Sequence, residues 1–439
     1  MLTTRHLLAA LALPAALGAQ ATPPVRLINA PDASTKPMLG LAAAVRQLPN
    51  GGLLVNDILK RQLLLFDNTL ANVTLVADST SGAADSYGAR PGGIIPYFGD
   101  STLFIDPGDL SMFVIGPAGA VARVASVPRS QDAPFIGSNI GGLPALDARG
   151  RIVYSAGAGF QAIRMAAPPA NGAARTGLPF AMGDPPDTAA LVRIDPNSRK
   201  LDTAAFYKIP QRKMNITQTD GRITMSTEIN PMPVVDDWAV TSDGSIAIVR
   251  GRDYHIDWIN PDGSMTASPK IPFDWERLTD DAKVAVIDSA KAAFEKTQAA
   301  IAAGNSGAAA GDGAAAGRGM VVMNFSTRGG GGTDGRGRAG GPAMQATFVS
   351  ASDLPDYRPA FGQGGAVKAD LDGNVWIRTT AHREGAIAGA IYDVVSRKGE
   401  VTDRVQVPAG RTIVGFGKGG VVYMLARDDK GAWIERTKR

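Results

Sequence analysis

The sequence predicts an all-β fold in which one four-stranded unit is repeated six times. Its 439 residues include 52 glycines and 29 prolines, a composition that favours frequent turns over long helices. A short strand, a tight turn rich in Gly, Asp or Asn, and an apolar strand recur in that order, with turns about 47 to 50 residues apart where no insertion intervenes. Six such units predict a six-bladed β-propeller with four-stranded antiparallel blades. A β-sandwich with the same turn spacing is the alternative.

Each unit begins with a hairpin, and third and fourth apolar runs follow it. The hairpins are Ala44 to Asp57, Ile94 to Pro107, Leu143 to Ala156, Asp237 to Arg250, Ala366 to Thr380 and Thr412 to Leu425. Only five fourth runs follow the six hairpins. An N-terminal strand, "VRLINA" (Val25 to Ala30), is therefore expected to complete the last unit and close the ring, an arrangement that a sandwich gives no reason for.

The N-terminus has the pattern of a secretory signal over residues 1–21. Arg5 precedes an apolar core from Leu7 to Leu17, and the small residues Ala19 and Ala21 suit cleavage. We expect an exported protein, periplasmic or extracellular, whose propeller domain spans 22–439; an uncleaved anchor is the alternative. No other stretch approaches the roughly 18 to 20 apolar residues of a membrane helix, so we expect no stable membrane insertion after cleavage.

Composition excludes several kinds of chemistry. The chain has no cysteine, which rules out disulfides, thiolate metal sites and cysteine nucleophiles. Its 45 Lys plus Arg and 41 Asp plus Glu are scattered and give a net charge of +4, so no nucleic-acid partner is expected. We expect a monomer without a cofactor; a bound divalent metal is the alternative.

One insertion, residues 274–362, separates the fourth and fifth units. Thr279 is a suitable N-cap for a helix over about 277–303, and Val284, Ile287, Ala290 and Phe294 fall on one helical face. Residues 304–341 are Gly- and Ala-rich and are predicted to be flexible around a short strand, "MVVMNFS".

Long connections mark one face of the predicted propeller. Turns between first and second strands and between third and fourth strands lie on one side, here called the short-turn face; the other connections lie on the loop-rich face. The long segments all belong to the loop-rich face: Asp78 to Gly93, Pro128 to Gly142, Gly157 to Asp187, Gln211 to Asp236 and Asp274 to Gly362. Because long ordered loops often carry function, we expect a ligand there; tolerated insertions are the alternative.

The candidate ligand-binding residues lie at the mouth of the channel on that face. Second strands end there in Asp57, Asp106, Arg250, Arg378 and Arg427, and the connections or the insertion add Arg252, His255, His382, Arg383, Tyr357 and Arg358. Arginine forks suit an anionic ligand. Alternatively, the arginines pair with loop acids such as Asp253, Glu384, Asp428 and Asp429, and the segment Asp356 to Pro359 anchors the insertion.

No catalytic motif is evident. After loss of His6 with the signal, His255 and His382 remain, and neither stands in a metal-binding pair or beside a nucleophile motif. The sequence therefore favours a non-catalytic exported propeller that binds a small molecule, a glycan or a protein. The alternative is a propeller hydrolase, lactonase or lyase, with or without a metal.

The stretch "DLDGN" looks like the start of a calcium loop. Counting from Asp370, however, the twelfth position is Ala381 and the ninth is Arg378, and strands flank the motif. We expect Asp370, Asp372 and Asn374 to bind turn backbone instead.

With these units identified, the chain resembles the secreted bacterial six-bladed β-propellers related in shape to NHL-repeat and TolB-like proteins. The resemblance is carried by Asp353 to Thr380 and by "DWAVTSDGSIAIVRGRDYHIDWINPDG". It implies a fold and export but no reaction. Propellers of gluconolactonase type hold a metal with channel-facing acidic and Asn side chains, and the candidate innermost strands here offer no comparable acidic set.

Overall fold

The structure, a computed structural model, describes residues 22–36, 38–80, 86–137, 141–157, 163–165, 180–219, 222–302, 345–381, 389–428 and 431–439. Six sheets of four or five strands follow one another along the chain, and most neighbouring innermost strands contact each other. The predicted six-bladed β-propeller is confirmed.

Two short strands precede the first three blades. They are β1 (Val25–Leu27) and β2 (Ala33–Ser34). Blade one contains β3 (Ala42–Gln47), β4 (Leu53–Asp57), β5 (Gln62–Phe66) and β6 (Val73–Ala77). Blade two contains β7 (Gly93–Pro96), β8 (Thr102–Asp106), β9 (Ser111–Ile115) and β10 (Val121–Ser126), followed by the short helix α1 (Ala133–Ile136). Blade three contains β11 (Ala145–Leu146) and β12 (Ile152–Ala156), an inserted hairpin of β13 (Ile163–Met165) and β14 (Phe180–Met182), then β15 (Thr188–Ile194) and β16 (Leu201–Lys208).

The second half of the chain adds three blades and a cap. The hairpin β17 (Met214–Thr219) and β18 (Arg222–Ile229) precedes blade four, which contains β19 (Asp237–Val240), β20 (Ile246–Arg250), β21 (His255–Ile259) and β22 (Met265–Ala267). The helix α2 (Asp280–Ala302) and β23 (Gln345–Phe348) follow. Blade five contains β24 (Val367–Ala369), β25 (Val375–Arg378), β26 (Gly389–Val395) and β27 (Val401–Pro408). Blade six contains β28 (Arg411–Phe416), β29 (Val421–Asp428) and β30 (Gly431–Lys438).

An N-terminal strand closes the ring, but the choice of Val25 to Ala30 for this role was wrong. The closing strand is β2, whose Ala33 pairs with Arg436 of β30 in antiparallel register. β1 instead runs parallel to β27 and adds a fifth strand to blade five. The two-residue β2 has no apolar run to reveal it. It is held by the Asp32–Arg436 ion pair and by two hydrogen bonds: the backbone N–H of Thr35 donates to the carbonyl of Ile434, and the Thr35 hydroxyl accepts from the backbone N–H of Ile434.

Apolar side chains fill the seams between neighbouring blades. The largest of them, Trp238, Trp258 and Trp376, are almost completely buried and occupy three different clusters. Burying such a side chain contributes roughly 1.5–3 kcal/mol. With no disulfide available, these seams and the strand pairing hold the ring together.

The insertion forms a cap on the loop-rich face. β18 pairs antiparallel with β17 and parallel with β23, so part of the predicted 211–236 loop is a hairpin. Phe294 of α2 contacts Phe348 of β23, with ring centroids 6.2 Å apart. The Gly- and Ala-rich tract 304–341, including "MVVMNFS", lies outside the described residues.

The packed face of α2 differs from the prediction in one position. Ile287 and Ala290 are buried as expected, and the N-cap Thr279 accepts a hydrogen bond from the backbone of Ala282. Val284, however, is 47% exposed, and the preceding Lys283 is buried in its place. Lys283 can face inward because its ammonium contacts a carboxylate partner, described below. Within the described ranges, no helix is long and apolar enough to cross a membrane.

Candidate functional site

The acids that end the second strands of blades one and two hold loop backbone. Asp57 is completely buried, and its carboxylate accepts hydrogen bonds from the backbone N–H groups of Gly40 (2.7 Å) and Leu41 (3.0 Å). Asp106 is equally buried and accepts one from the backbone of Gly88. Each carboxylate therefore fixes the segment that leads into its own blade. Asp57, a predicted ligand-binding residue, presents no exposed surface to a ligand.

Arg250, at the end of β20, is held by two carboxylates. Its Nη1 lies 2.7 Å from Asp236 and its Nε lies 2.7 Å from Asp257, and Nη1 also donates to the carbonyl of Phe206 in blade three. Burial alone would lower the pKa of Arg250, but the bonds to Asp257 and Asp236 outweigh it and raise the pKa. The salt-bridge alternative describes Arg250 correctly, although both partner acids differ from those named from the sequence.

The other predicted cations have different surroundings. Arg427 donates from Nη2 to the carbonyl of Gly40 (2.6 Å). Arg378 is half-buried, and its buried Nη2 has no hydrogen-bond partner among the described residues. Arg252 is exposed on the loop after β20. His382 and Arg383 lie outside the described residues.

His255, the first residue of β21, forms a dyad with Asp257. Its Nε2 lies 3.2 Å from the Oδ1 of Asp257, whose other oxygen is bound by Arg250. Both side chains are half-buried. When neutral, an imidazole that keeps its proton on Nε2 toward Asp257 has a free lone pair on Nδ1. The arrangement can orient a general base.

Tyr357 and Arg358 lie on a two-stranded ribbon at the base of the cap. Arg277 and Tyr357 form a bridge, flanked by backbone bonds from Leu278 to Asp356 (2.8 Å) and from Arg358 to Glu276 (2.9 Å). In this pairing pattern the bridged side chains are close neighbours. The ribbon joins the start of the insertion to its end.

Two ion pairs brace this ribbon. Arg358 makes a bidentate contact with Glu276, at 2.6 and 3.3 Å. The buried Lys283 of α2 reaches Asp356 at 2.8 Å, and the hydrogen bond and charge of Lys283 lower the pKa of the Asp356 carboxyl. The structure thus supports the anchoring role for Asp356 to Pro359.

Two exposed aromatic side chains adjoin Arg277 on the ribbon. Tyr357 is its bridged partner and is 49% exposed, and Trp275 precedes it by two residues and is 42% exposed. Trp275 packs edge-on against Phe273, which packs edge-on against the buried Tyr254. Sequence reasoning missed Trp275, although the alternation of Phe273 and Trp275 just after blade four was a usable signal.

The "DLDGN" motif forms a turn, as expected. One oxygen of Asp370 accepts hydrogen bonds from the backbone of Asp372 (3.0 Å) and Asn374 (2.8 Å), and the other accepts from the side chains of Asn374 and Trp376, both at 2.9 Å. Over the described ranges, no group of three or more His, Asp or Glu side chains is arranged to hold a metal.

No protein-family model matches the chain, and no curated protein matches it. Solved structures do. A gluconolactonase from Xanthomonas campestris is 10% identical with a TM-score of 0.36, and the match covers 96% of this chain and 99% of that one. A virginiamycin B lyase from Staphylococcus aureus is 11% identical with a TM-score of 0.35, covering 92% and 86%.

A third similar structure is regucalcin, a calcium-binding protein from Agrobacterium tumefaciens. It is 12% identical with a TM-score of 0.31, and the match covers 94% of this chain and 98% of that one. At such identities the likeness concerns the fold. The chain is a six-bladed β-propeller with propeller proteins among its structural neighbours.

Proposed function

We propose that this propeller binds a carbohydrate on its loop-rich face, at the surface formed by Trp275, Arg277 and Tyr357. The observation that carries the proposal is the pair of exposed aromatic rings adjoining one exposed arginine. An aromatic ring offers an apolar face to the C–H groups of a sugar ring, and a guanidinium supplies donors for the hydroxyl oxygens.

The rigidity of the ribbon supports this function. The Arg358–Glu276 and Lys283–Asp356 pairs fix the ribbon to itself and to α2. Trp275 is further supported from below by Phe273 and Tyr254. A surface that is already ordered loses less entropy on binding, so more of the contact energy appears as affinity.

The spacing of apolar and polar side chains favours a sugar over a protein partner. Trp275 and Tyr357 are separated by Arg277, and Asp274 and Glu276 alternate with them and are exposed. A stable protein interface needs roughly 800 Å² from each partner and a contiguous apolar centre. Isolated rings among charged neighbours suit a narrow, hydroxylated ligand.

The test is a fluorescence titration with cellohexaose, chitohexaose and hexagalacturonate. Trp275 is the most exposed tryptophan, since Trp238, Trp258 and Trp376 are buried and Trp433 is half-buried. We expect one of these sugars to change the emission. Trp275→Phe should remove most of the change, and Tyr357→Ala should weaken binding about tenfold, equivalent to about 1.4 kcal/mol.

Phe206→Ala is the matched control, because Phe206 is an exposed aromatic residue on the outer strand of blade three. It should bind like the wild type. If no sugar binds, or if Phe206→Ala weakens binding as much as Tyr357→Ala does, the proposal is wrong. Binding of peptides from a display library at this surface, without any sugar binding, would favour a protein partner.

A hydrolase, lactonase or lyase is the second candidate, and the His255–Asp257 dyad is the observation that favours it. We propose His255 as the base and Asp257 as the residue that orients it. A panel of lactones and aryl esters, assayed with and without a chelator, tests this. His255→Gln should abolish turnover with an unchanged melting temperature, whereas Lys270→Gln, an exposed change on the same blade, should not. Absence of wild-type turnover on every substrate would contradict it.

We further propose that the chain is exported. The support is the signal pattern over residues 1–21. Mass spectrometry of the protein purified from its native host should find the N-terminus just after Ala21. An intact Met1 would contradict cleavage.

A further inference from the structure

We propose a second ligand site, for a small monocyclic carboxylate, in the groove between blades two and three on the short-turn face. The groove has a volume of about 250 Å³. It lies beneath the β15–β16 turn of blade three and against β8, β9 and β10 of blade two. This site is separate from the ribbon on the loop-rich face.

The other blade seams show how such a groove is normally filled. The turn between β26 and β27 places Arg397 over the ring of Trp258, 4.7 Å from its centroid, and Arg397 also donates to Ser245 (3.0 Å). Between blades one and two, Gly119 of the β9–β10 turn packs directly against Leu65. At these two seams the protein supplies its own occupant.

The groove between blades three and four shows how acidic side chains balance arginines at such a seam. This groove, of about 130 Å³, is lined by Arg149, Arg151 and Arg193, and the last two have carboxylate partners. Arg151 lies 2.7 Å from Asp147 and 3.2 Å from Asp202, and Arg193 lies 2.8 Å from Asp202.

Among the residues that the structure describes, neither an acidic side chain nor a side chain that fills the space lines the groove between blades two and three. Arg123 and Arg199 lie on its wall and are exposed. Among the described residues neither forms an ion pair; Arg199 donates only to the hydroxyl of Ser126 (3.2 Å), and the Tyr97 hydroxyl has no hydrogen-bond partner. Two uncompensated guanidinium groups and a free phenol define an anion-binding rim.

The floor of the groove is apolar, so the part of the ligand that lies on it should be an apolar ring. The floor is formed by Leu103, Met112 and Val114, all buried. A cavity of about 150 Å³ accommodates benzene, so this groove has room for one six-membered ring with a carboxylate. The ring would lie on the floor and the carboxylate would meet Arg123 and Arg199.

The test is NMR of the full chain labelled at methionine methyl groups, titrated with benzoate, benzyl alcohol and inorganic phosphate. Benzoate should shift the Met112 resonance. Benzyl alcohol, which keeps the ring but lacks the charge, and phosphate, which lacks the ring, should each bind at least tenfold more weakly. Equal binding of benzoate and either comparison probe would overturn the assigned ligand class.

Matched variants locate the site. Arg123→Gln with Arg199→Gln should weaken benzoate binding at least tenfold, since both side chains are exposed and the fold should survive. Arg149→Gln removes an exposed arginine from the same face but outside this groove, and it should bind benzoate like the wild type. If the double variant binds normally, or Arg149→Gln weakens binding equally, the proposal is wrong.

Discussion

Replacement of Arg404 by methionine should destabilise the protein strongly, because it strands a buried carboxylate. Asp393 in β26 is completely buried, and the Nε of Arg404 in β27 lies 3.0 Å from it. The hydroxyl of Tyr254, from blade four, donates to the same carboxylate at 3.1 Å. The network therefore joins blades four and five beneath the ribbon that carries Trp275.

The magnitude follows from the burial of both partners. Breaking a buried ion pair by removing one partner typically costs 3–5 kcal/mol, whereas replacing both with apolar side chains is often neutral. Methionine retains the apolar stem of the arginine, and Tyr254 still donates one hydrogen bond. We therefore expect Arg404→Met to lower the free energy of unfolding by about 3 kcal/mol near pH 7, and Arg404→Met with Asp393→Leu to recover most of that loss.

The pH dependence of the stability penalty of Arg404→Met provides an independent test. Burial raises the pKa of Asp393, and Arg404 opposes that rise. A carboxyl whose folded pKa exceeds its unfolded value of about 3.9 stabilises the folded protein at low pH. That contribution is lost as the pH rises through the folded pKa. Without Arg404 the folded pKa of Asp393 rises further, so the penalty of Arg404→Met should shrink as the pH falls toward about 4.5.

Urea unfolding of the wild type, the single variant and the double variant between about pH 4.5 and pH 7.5 measures these quantities. A loss below about 1 kcal/mol at neutral pH, or a penalty that does not change with pH, would refute the reasoning.

Three further predictions concern single side chains. Thr35→Val removes the hydroxyl that accepts the backbone N–H of Ile434 and should cost about 1–2 kcal/mol in urea unfolding; no loss would mean that this contact does not hold the ring closed. Asp370→Ala should lower the melting temperature, while the wild type should melt identically with a chelator and with added calcium; a rise with calcium would contradict the turn role. Lys283→Met should return the pKa of Asp356 upward toward its usual value, measured by NMR titration; an unchanged pKa would exclude the Lys283 contact as its cause.

The repeated units of the fold could be predicted from the sequence because their signals are local. A turn with Asp, Asn or Gly between two apolar strands has the same chemistry in every blade, as the Asp370 turn shows. The closing strand gave no such signal. Ala33 and Ser34 pair with residues some 400 positions away, and only tertiary contact distinguishes them from the more apolar "VRLINA".

The candidate site was harder to predict because charge pairing is a tertiary property. Arg250 was identified from the sequence, but its partner Asp236 comes from the preceding loop. Only the 2.7 Å distance between the two side chains distinguishes a salt bridge from a free ligand-binding arginine. The burial of Lys283 was not predicted, because a lysine is rarely buried without a partner. Its partner Asp356 is 73 residues away in the sequence. Trp275 was missed because the alternation of Phe273 and Trp275 does not by itself show which of the two rings is exposed.

Hydrogen exchange with and without the sugar that alters Trp275 emission tests the central proposal most directly. Saturation should slow exchange in the ribbon, at residues 274–278 and 356–358, with much smaller changes on the outer strand of blade three. Slowed exchange confined to other parts of the propeller, or none at saturation, would contradict carbohydrate binding at this surface.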